Sequence, residues 1–93
     1  MIDFQKSYSV SKGVYTQELD GEIILLDSNG EHYFNLNELG SKMWQLLETG
    51  KTPQQMLEII KKEYTVEEHN LRKDLITFFN ELSTRCLIYS LPT

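Results

Sequence analysis

Two turn signals divide residues 14–36 into short strand-like segments. Asp20-Gly21 is typical of a two-residue type I′ hairpin, and Asp27-Ser28-Asn29-Gly30 provides a second turn. The segments between and around them are residues 14–19, 22–27 and 31–36. Tight turns of this kind can join only antiparallel strands. The sequence therefore predicts a three-stranded meander whose last segment is an edge strand.

If both turns are two-residue loops, the register of the meander follows. One face then carries two rows, Thr16, Leu25 and Phe34, and beside them Glu18, Ile23 and Leu36. The other face carries Tyr15, Leu26 and Tyr33, and beside them Gln17, Ile24 and Asn35. Because Leu36 runs straight into the first helix, we expect its face to lie against the helices. The middle segment is apolar on both faces, which predicts a strand covered on both sides.

Three helices are predicted after the sheet. Asn37 can cap the first helix, which stops at Gly50. Thr52-Pro53-Gln54-Gln55 and Thr65-Val66-Glu67-Glu68 are capping-box sequences that open the second and third helices, and the third continues to Arg85. Its apolar residues are Leu71, Leu75, Phe78 and Leu82, widened by Ile76 and Phe79. The predicted fold class is α+β and winged-helix-like, a three-stranded antiparallel β-meander followed by three α-helices.

Length and composition fit one small domain. The chain has 93 residues, of which 40% are hydrophobic, enough for one modest core. Residues 1–12 are polar and irregular and predict a flexible N-terminal arm, with the single domain at residues 13–91. The sequence contains no run of about 18 apolar residues and no signal peptide. We therefore expect a cytoplasmic protein without a membrane span.

The sequence contains few groups suited to catalysis or metal binding. Cys86 is the only cysteine, so an internal disulfide is excluded, and its apolar surroundings predict a buried thiol. His32 and His69 lie in different elements without metal-ligand spacing. No phosphate-binding loop or hydrolase motif occurs. We expect no enzymatic activity, no cofactor and no metal.

Two binding modes remain for this order of elements. A winged-helix DNA-binding regulator needs a basic recognition helix, but acidic residues on the third helix offset its Arg and Lys, and the net charge is −5. The other mode is peptide capture, because residues 31–36 contain no Pro or Lys to protect the edge. We therefore favour a peptide partner over nucleic acid. An empty edge could also pair with its copy and produce a homodimer.

The segment 24–37 resembles the PqqD family, the chaperone-like proteins of pyrroloquinoline quinone biosynthesis. In that family an aromatic strand leads into Leu-Asn, here Leu36-Asn37, and an apolar-Trp pair follows, here Met43-Trp44. The likeness covers about residues 20–89 and continues through Leu46-Leu47, Thr52-Pro53, Tyr64, Leu82 and Cys86-Leu87-Ile88. Cys86 stands where the family often has Gly.

The resemblance implies a recognition element that binds the leader of a ribosomally made precursor peptide as an added strand. A free-standing version of this length is similar to the leader-binding protein of lasso-peptide pathways, which works with a leader peptidase and a cyclase. A PqqD-type chaperone for a radical-SAM peptide-modifying enzyme is the alternative.

The family's usual clamp consists of the third strand and the third helix. Carried over, it implies these peptide-binding residues: His32, Tyr33, Phe34, Asn35, Leu36, Leu71, Arg72, Asp74, Leu75, Phe78 and Phe79. One or two aromatic or Pro side chains of the leader would enter the cleft beside Leu71, Leu75 and Phe78. Arg72, Lys73 or Asp74 would supply charge at its rim.

Overall fold

The computed structural model describes residues 2–27 and 32–92. Its elements are β1 (Tyr8–Val10), β2 (Tyr15–Leu19), β3 (Glu22–Leu26), β4 (Tyr33–Leu36), α1 (Glu38–Glu48), α2 (Pro53–Glu63), α3 (Glu68–Thr84) and β5 (Ile88–Ser90). Strands β2, β3 and β4 form an antiparallel meander that precedes the three helices, which confirms the predicted fold class. Glu31 and most of the second predicted turn lie outside the described residues.

The register of the meander is the predicted one. Thr16 pairs with Leu25, and Leu25 pairs with Phe34, as do the other predicted partners. Asp20 and Gly21 have φ angles of 53° and 83°, the positive values that a type I′ turn requires at both central positions. The face that carries Leu36 lies against the helices, with its Ile23, Leu25 and Leu36 side chains in the core.

The opposite face of the meander, called the outer face below, is more open than the sequence predicted. Ile24 and Leu26 are only half-buried, and Tyr15 and Tyr33 are 64% and 65% exposed. The expectation that the central strand is covered on both sides is therefore wrong. The reason is that the core shared with the helices includes Ile23, Leu25 and Leu36 but none of the apolar residues of the outer face.

The N-terminal segment also differs from the predicted flexible arm. Tyr8–Val10 pairs antiparallel with Ile88–Ser90 and forms a second, two-stranded sheet. The Tyr8 side chain is 6% exposed, and its ring centroid lies 4.8 Å from that of Phe79. The backbone N–H of Gln54 donates to the carbonyl of Phe4 at 3.1 Å. A three-residue strand whose partner lies at the other end of the chain has too little alternation to be recognised in sequence.

The helices begin largely as predicted. Asn37 Oδ1 accepts a hydrogen bond from the Gly40 N–H at 2.8 Å, and the capping box at Thr52 is complete. The predicted capping box at Thr65 is wrong, because α3 begins two residues later with Glu67 as N-cap and no side-chain cap bond. The Glu68 carboxylate occupies the first turn instead, which suits the helix dipole. In the described part of the chain, no helix is long and apolar enough to cross a membrane.

Candidate functional site

Strand β4 has β3 on one side and an open edge on the other. The Asp27 N–H donates to the His32 carbonyl at 3.1 Å, which places His32 among the hydrogen-bonded pairs of this ladder. Such pairs alternate along antiparallel strands, so Phe34 and Leu36 also direct their backbone groups towards β3. Tyr33 and Asn35 then direct their N–H and C=O groups outwards. Within residues 2–27 and 32–92 these outward groups have no backbone partner.

Two cavities lie along the cleft between this edge and α3. The first, called the Arg85 cavity, has a volume of about 210 Å³ and is lined by Asp27, His32, Phe34, Arg85 and Leu87. The second, called the Phe78 cavity, has a volume of about 270 Å³ and is lined by Asn37, Leu39, Gly40, Met43, Asp74, Thr77 and Phe78. The Arg85 cavity lies at the start of β4 and the Phe78 cavity where β4 passes into α1. Together they follow the open edge along its length.

Arg85 connects the end of α3 to the edge strand. Its guanidinium carbon lies 4.1 Å from the ring centroid of Phe34, the distance of a cation–π contact. The same guanidinium lies 3.9 Å from the carboxylate of Glu81, one turn earlier on α3. The Phe34 ring therefore presents an apolar surface under a positive charge, and that charge is half exposed to solvent.

The opposite rim of the Arg85 cavity is polar. His32 Nδ1 lies 2.9 Å from the Asp27 carboxylate, and the imidazole is otherwise largely exposed. This pair closes the end of β4 that lies away from α1. The cleft thus has an aromatic floor and charged groups at its rim.

The C-terminus of α3 is shaped by a Schellman motif. The Leu87 N–H donates to the Leu82 carbonyl at 2.9 Å and the Cys86 N–H to the Ser83 carbonyl at 3.0 Å. Cys86 has a φ of 61°, the left-handed conformation for which Gly is preferred at this position. The turn buries Leu87 and leaves Arg85 at the cleft. Cys86 itself is exposed, so the predicted buried thiol is wrong.

The five residues predicted on the strand fall into three environments. His32 and Phe34 line the Arg85 cavity. Tyr33 and Asn35 lie on the outer face and reach the edge through their backbone groups. Leu36 is 9% exposed and belongs to the core. Only two of these side chains are therefore at the cleft, as expected from the alternation of a strand.

The six residues predicted on α3 are also divided. Asp74 and Phe78 line the Phe78 cavity. Arg72 points elsewhere, because its guanidinium carbon lies 5.2 Å from the ring centroid of Phe4. The remaining three, Leu71, Leu75 and Phe79, are at most 1% exposed. Contrary to the sequence-based expectation, Leu71 and Leu75 do not line the cleft, since their side chains form the core.

The predicted site does not include Thr77 of α3 or Arg85, the C-cap of that helix. It also does not include Asn37, Leu39 and Met43 around α1. A signal for the first two was present. The helix face next to the apolar stripe carries Asp74, with Thr77 three residues and Phe78 four residues after it, and Arg85 seven residues after Phe78.

No group of three or more His, Cys, Asp or Glu side chains in the described ranges could hold a metal ion.

Comparisons with known proteins identify a family and two similar structures. Residues 22–88 match the family described as Coenzyme PQQ synthesis protein D (PqqD). The structure of TbiB1 in complex with the TbiA(beta) leader peptide is similar, with a TM-score of 0.80 and 32% identity over 90% of this chain and 98% of that chain. A lasso peptide synthetase B1 complexed with the leader peptide shares the fold, with a TM-score of 0.79 and 22% identity over 92% and 99% of the two chains. No curated protein matches. The family match covers well over half of this chain, and the chain therefore belongs to the PqqD family.

Proposed function

We propose that this protein is a non-catalytic leader-peptide-binding protein of a ribosomal peptide pathway, of the lasso-peptide type, and that it binds the leader as a strand on β4. The observation that carries the proposal is the open edge at Tyr33 and Asn35, with a cavity at either end. A similar protein with 32% identity forms a complex with a leader peptide, which supports the same class of ligand here.

The meander has a second open edge, on β2, which provides a comparison. There Thr16 and Glu18 direct their backbone groups away from β3, because Gln17 and Leu19 belong to the hydrogen-bonded pairs of the two-residue hairpin. Every residue of β2 is exposed, so none of the described helices forms a cleft beside this edge. Backbone pairing alone gives little specificity, whereas side-chain pockets supply it. The β4 edge is therefore the better site for a specific peptide.

A leader strand on β4 would alternate its side chains between the cleft and the outer face. Leader residues opposite Phe34 and Leu36 would point into the cleft, where Phe34 and Phe78 supply apolar surface. Asp74, one of the three charged residues predicted at the rim, would select the orientation of the leader together with Arg85. Ordering a disordered leader costs about 2–5 kcal/mol, so we expect reversible binding of moderate affinity.

Proline substitution tests the strand-addition mechanism. Asn35→Pro removes one outward N–H of β4 without removing a rung of its ladder with β3, because Pro is tolerated where the N–H of an edge strand faces solvent. The matched control is Thr16→Pro, which makes the same change at the β2 edge. The assay is fluorescence anisotropy with a labelled leader peptide from the precursor encoded beside this protein, and the TbiA(beta) leader is a second probe.

We expect Asn35→Pro to weaken binding by about tenfold or more, since one hydrogen bond is lost and the ring blocks close approach. Thr16→Pro should leave the affinity unchanged. Circular dichroism of both variants establishes that they are folded. Absence of saturable binding to the wild-type protein, or equal effects of the two substitutions, would contradict the proposal.

Delivery of the bound leader to a peptidase and a cyclase is the second part of the proposal. The outer face exposes Tyr15, Leu19 and Tyr33 by 64%, 60% and 65%, an apolar surface available for a protein partner. Tyr15→Ser with Leu19→Ser should preserve leader affinity and reduce leader removal in a reconstituted reaction. If leader removal is unchanged, the outer face does not serve delivery.

The same reconstitution with a radical-SAM modifying enzyme tests the alternative partner. Size-exclusion chromatography with and without leader tests whether the empty edge forms a homodimer.

A further inference from the structure

Ser41 joins three elements through one hydroxyl group. It is 2% exposed and lies in the first turn of α1. Its Oγ accepts a hydrogen bond from the Ile23 N–H at 2.8 Å and donates to the Leu36 carbonyl at 3.1 Å. Ile23 and Leu36 are partners in the β3 and β4 ladder, at a position of the hydrogen-bonded type. The hydroxyl therefore bridges the two strands at the last rung of this ladder.

The Leu36 carbonyl shares its peptide group with the Asn37 N–H. In a trans peptide the C=O and N–H bonds point in opposite directions. Because Ser41 holds the carbonyl on the β3 side, the Asn37 N–H faces the open edge. Asn37 also lines the Phe78 cavity. The N–H thus continues the row of outward donors that begins with Tyr33 and Asn35.

The residue three positions after the N-cap explains why this N–H is available. In a capping box, a Glu or Gln side chain at that position accepts from the N-cap N–H, as Gln55 does for Thr52 in α2. In α1 the position is Gly40, which has no side chain. A Cβ there would lie 3.2 Å from Asn37 Oδ1 and 3.4 Å from the Leu36 Cβ, so a larger residue would crowd the cap. Among the described residues, the Asn37 N–H has no hydrogen-bond partner.

We propose that Ser41 is a positioning residue for the leader peptide, because its hydroxyl orients the Leu36–Asn37 peptide group so that the Asn37 N–H donates to a leader carbonyl at the Phe78 cavity. This inference rests on the proposed strand addition at β4. The Asn37 N–H would add one hydrogen-bond donor to the open edge of β4, and Ser41 would give α1 a role in leader recognition. Ser41 acts through Asn37 and has no contact with the peptide itself.

A double-mutant cycle tests the proposal by fluorescence anisotropy with the labelled leader described above. Asn37→Pro removes the donor, and the φ of −70° at Asn37 already suits Pro. Asn37→Ala is the matched control, because both variants lose the cap to Gly40 and only Pro loses the N–H. We expect Asn37→Pro to bind about fivefold more weakly than Asn37→Ala, the effect of one hydrogen bond.

Ser41→Ala should weaken binding by about fivefold in the Asn37→Ala protein and change it by less than about twofold in the Asn37→Pro protein. Equal effects in both backgrounds would show that Ser41 does not act through the Asn37 N–H and would overturn the proposal. So would equal affinities of the Asn37→Pro and Asn37→Ala proteins. Failure of strand addition itself is recognised separately, by an absence of wild-type binding or by an unaffected Asn35→Pro protein.

A measurement on the wild-type protein avoids any variant that fails to fold. Amide hydrogen exchange followed by NMR should show slower exchange of the Asn37 N–H when the leader is added, together with the Tyr33 and Asn35 amides. Protection of Tyr33 and Asn35 without protection of Asn37 would support strand addition and overturn the role assigned to Ser41.

Discussion

The left-handed backbone conformation of Cys86 should lower the stability of this domain. Both α1 and α3 end in Schellman motifs, with Gly50 (φ 85°) after α1 and Cys86 (φ 61°) after α3. A non-Gly residue in the left-handed conformation costs about 1–2 kcal/mol. Gly in the same place loses about 0.4–1 kcal/mol more in chain entropy on folding. Cys86→Gly should therefore stabilise the fold by roughly 0.5–1 kcal/mol, the difference between these terms.

The reverse substitution provides the matched control. A Cβ built on Gly50 meets nothing within 4 Å, so Gly50→Ala introduces backbone strain without a steric clash. It should destabilise the domain by the amount that Cys86→Gly gains, roughly 0.5–1 kcal/mol. Cys86→Ala removes the thiol and keeps the conformation, and should change stability by less than about 0.5 kcal/mol.

Thermal and urea unfolding followed by the fluorescence of Trp44, which is fully buried, measures all three variants. For a domain of this size the expected changes correspond to shifts in Tm of roughly 2–8 °C in opposite directions. If Cys86→Gly were no more stable than Cys86→Ala, left-handed strain would not be the limiting factor. If Gly50→Ala cost nothing, a positive φ at a helix C-terminus would not be a source of strain in this domain.

Three further predictions concern the N-terminal strand, the cleft and pH. Tyr8→Ala should destabilise the fold by about 3–5 kcal/mol in urea unfolding, because a buried aromatic ring is removed; a cost under about 0.5 kcal/mol would mean that the segment is a loose arm. Phe34→Glu should abolish leader binding in a folded protein, whereas Leu75→Glu should prevent folding, as circular dichroism would show, because Leu75 is fully buried. The Lys61 ammonium lowers the pKa of the exposed Glu68, so its small contribution to stability is present above the unfolded pKa and is lost as pH falls through the folded pKa; a Glu68→Gln protein should lose less stability on acidification than the wild type.

The meander could be predicted from sequence because its constraints are local. Two-residue turns determine the register, and a one-residue slip would move Leu25 and Leu36 from the core to solvent. The cross-strand pairs of the meander, including Leu25 with Phe34, could therefore be predicted from the sequence. The pairing of β1 with β5 was not predictable, because each strand has three residues and the chain between them contains every other element.

The residues of α3 show that a sequence pattern does not separate core residues from cleft residues. A wide apolar arc indicates that a helix has neighbours on more than one side, but it does not distinguish core from cleft. The distinction depends on the distance between β4 and the helix, which the periodicity of a single helix does not reveal. Leu71, Leu75 and Phe79 satisfy the core, and the cleft is lined by residues on the adjoining, partly polar face, such as Asp74 and Phe78.

The separation of core residues from cleft residues on α3 allows the domain to be stable without a ligand. If the most apolar residues of α3 lined the cleft, the core of the empty domain would bury less apolar surface. The cleft would also expose an apolar patch prone to aggregation. Placing Phe34 under Arg85, and Asp74 beside Phe78, keeps the empty cleft partly polar. In the proposed complex, the peptide would then supply an added strand and apolar contacts. Substituting a cleft residue should accordingly change leader affinity more than stability, and substituting a core residue of α3 should do the reverse.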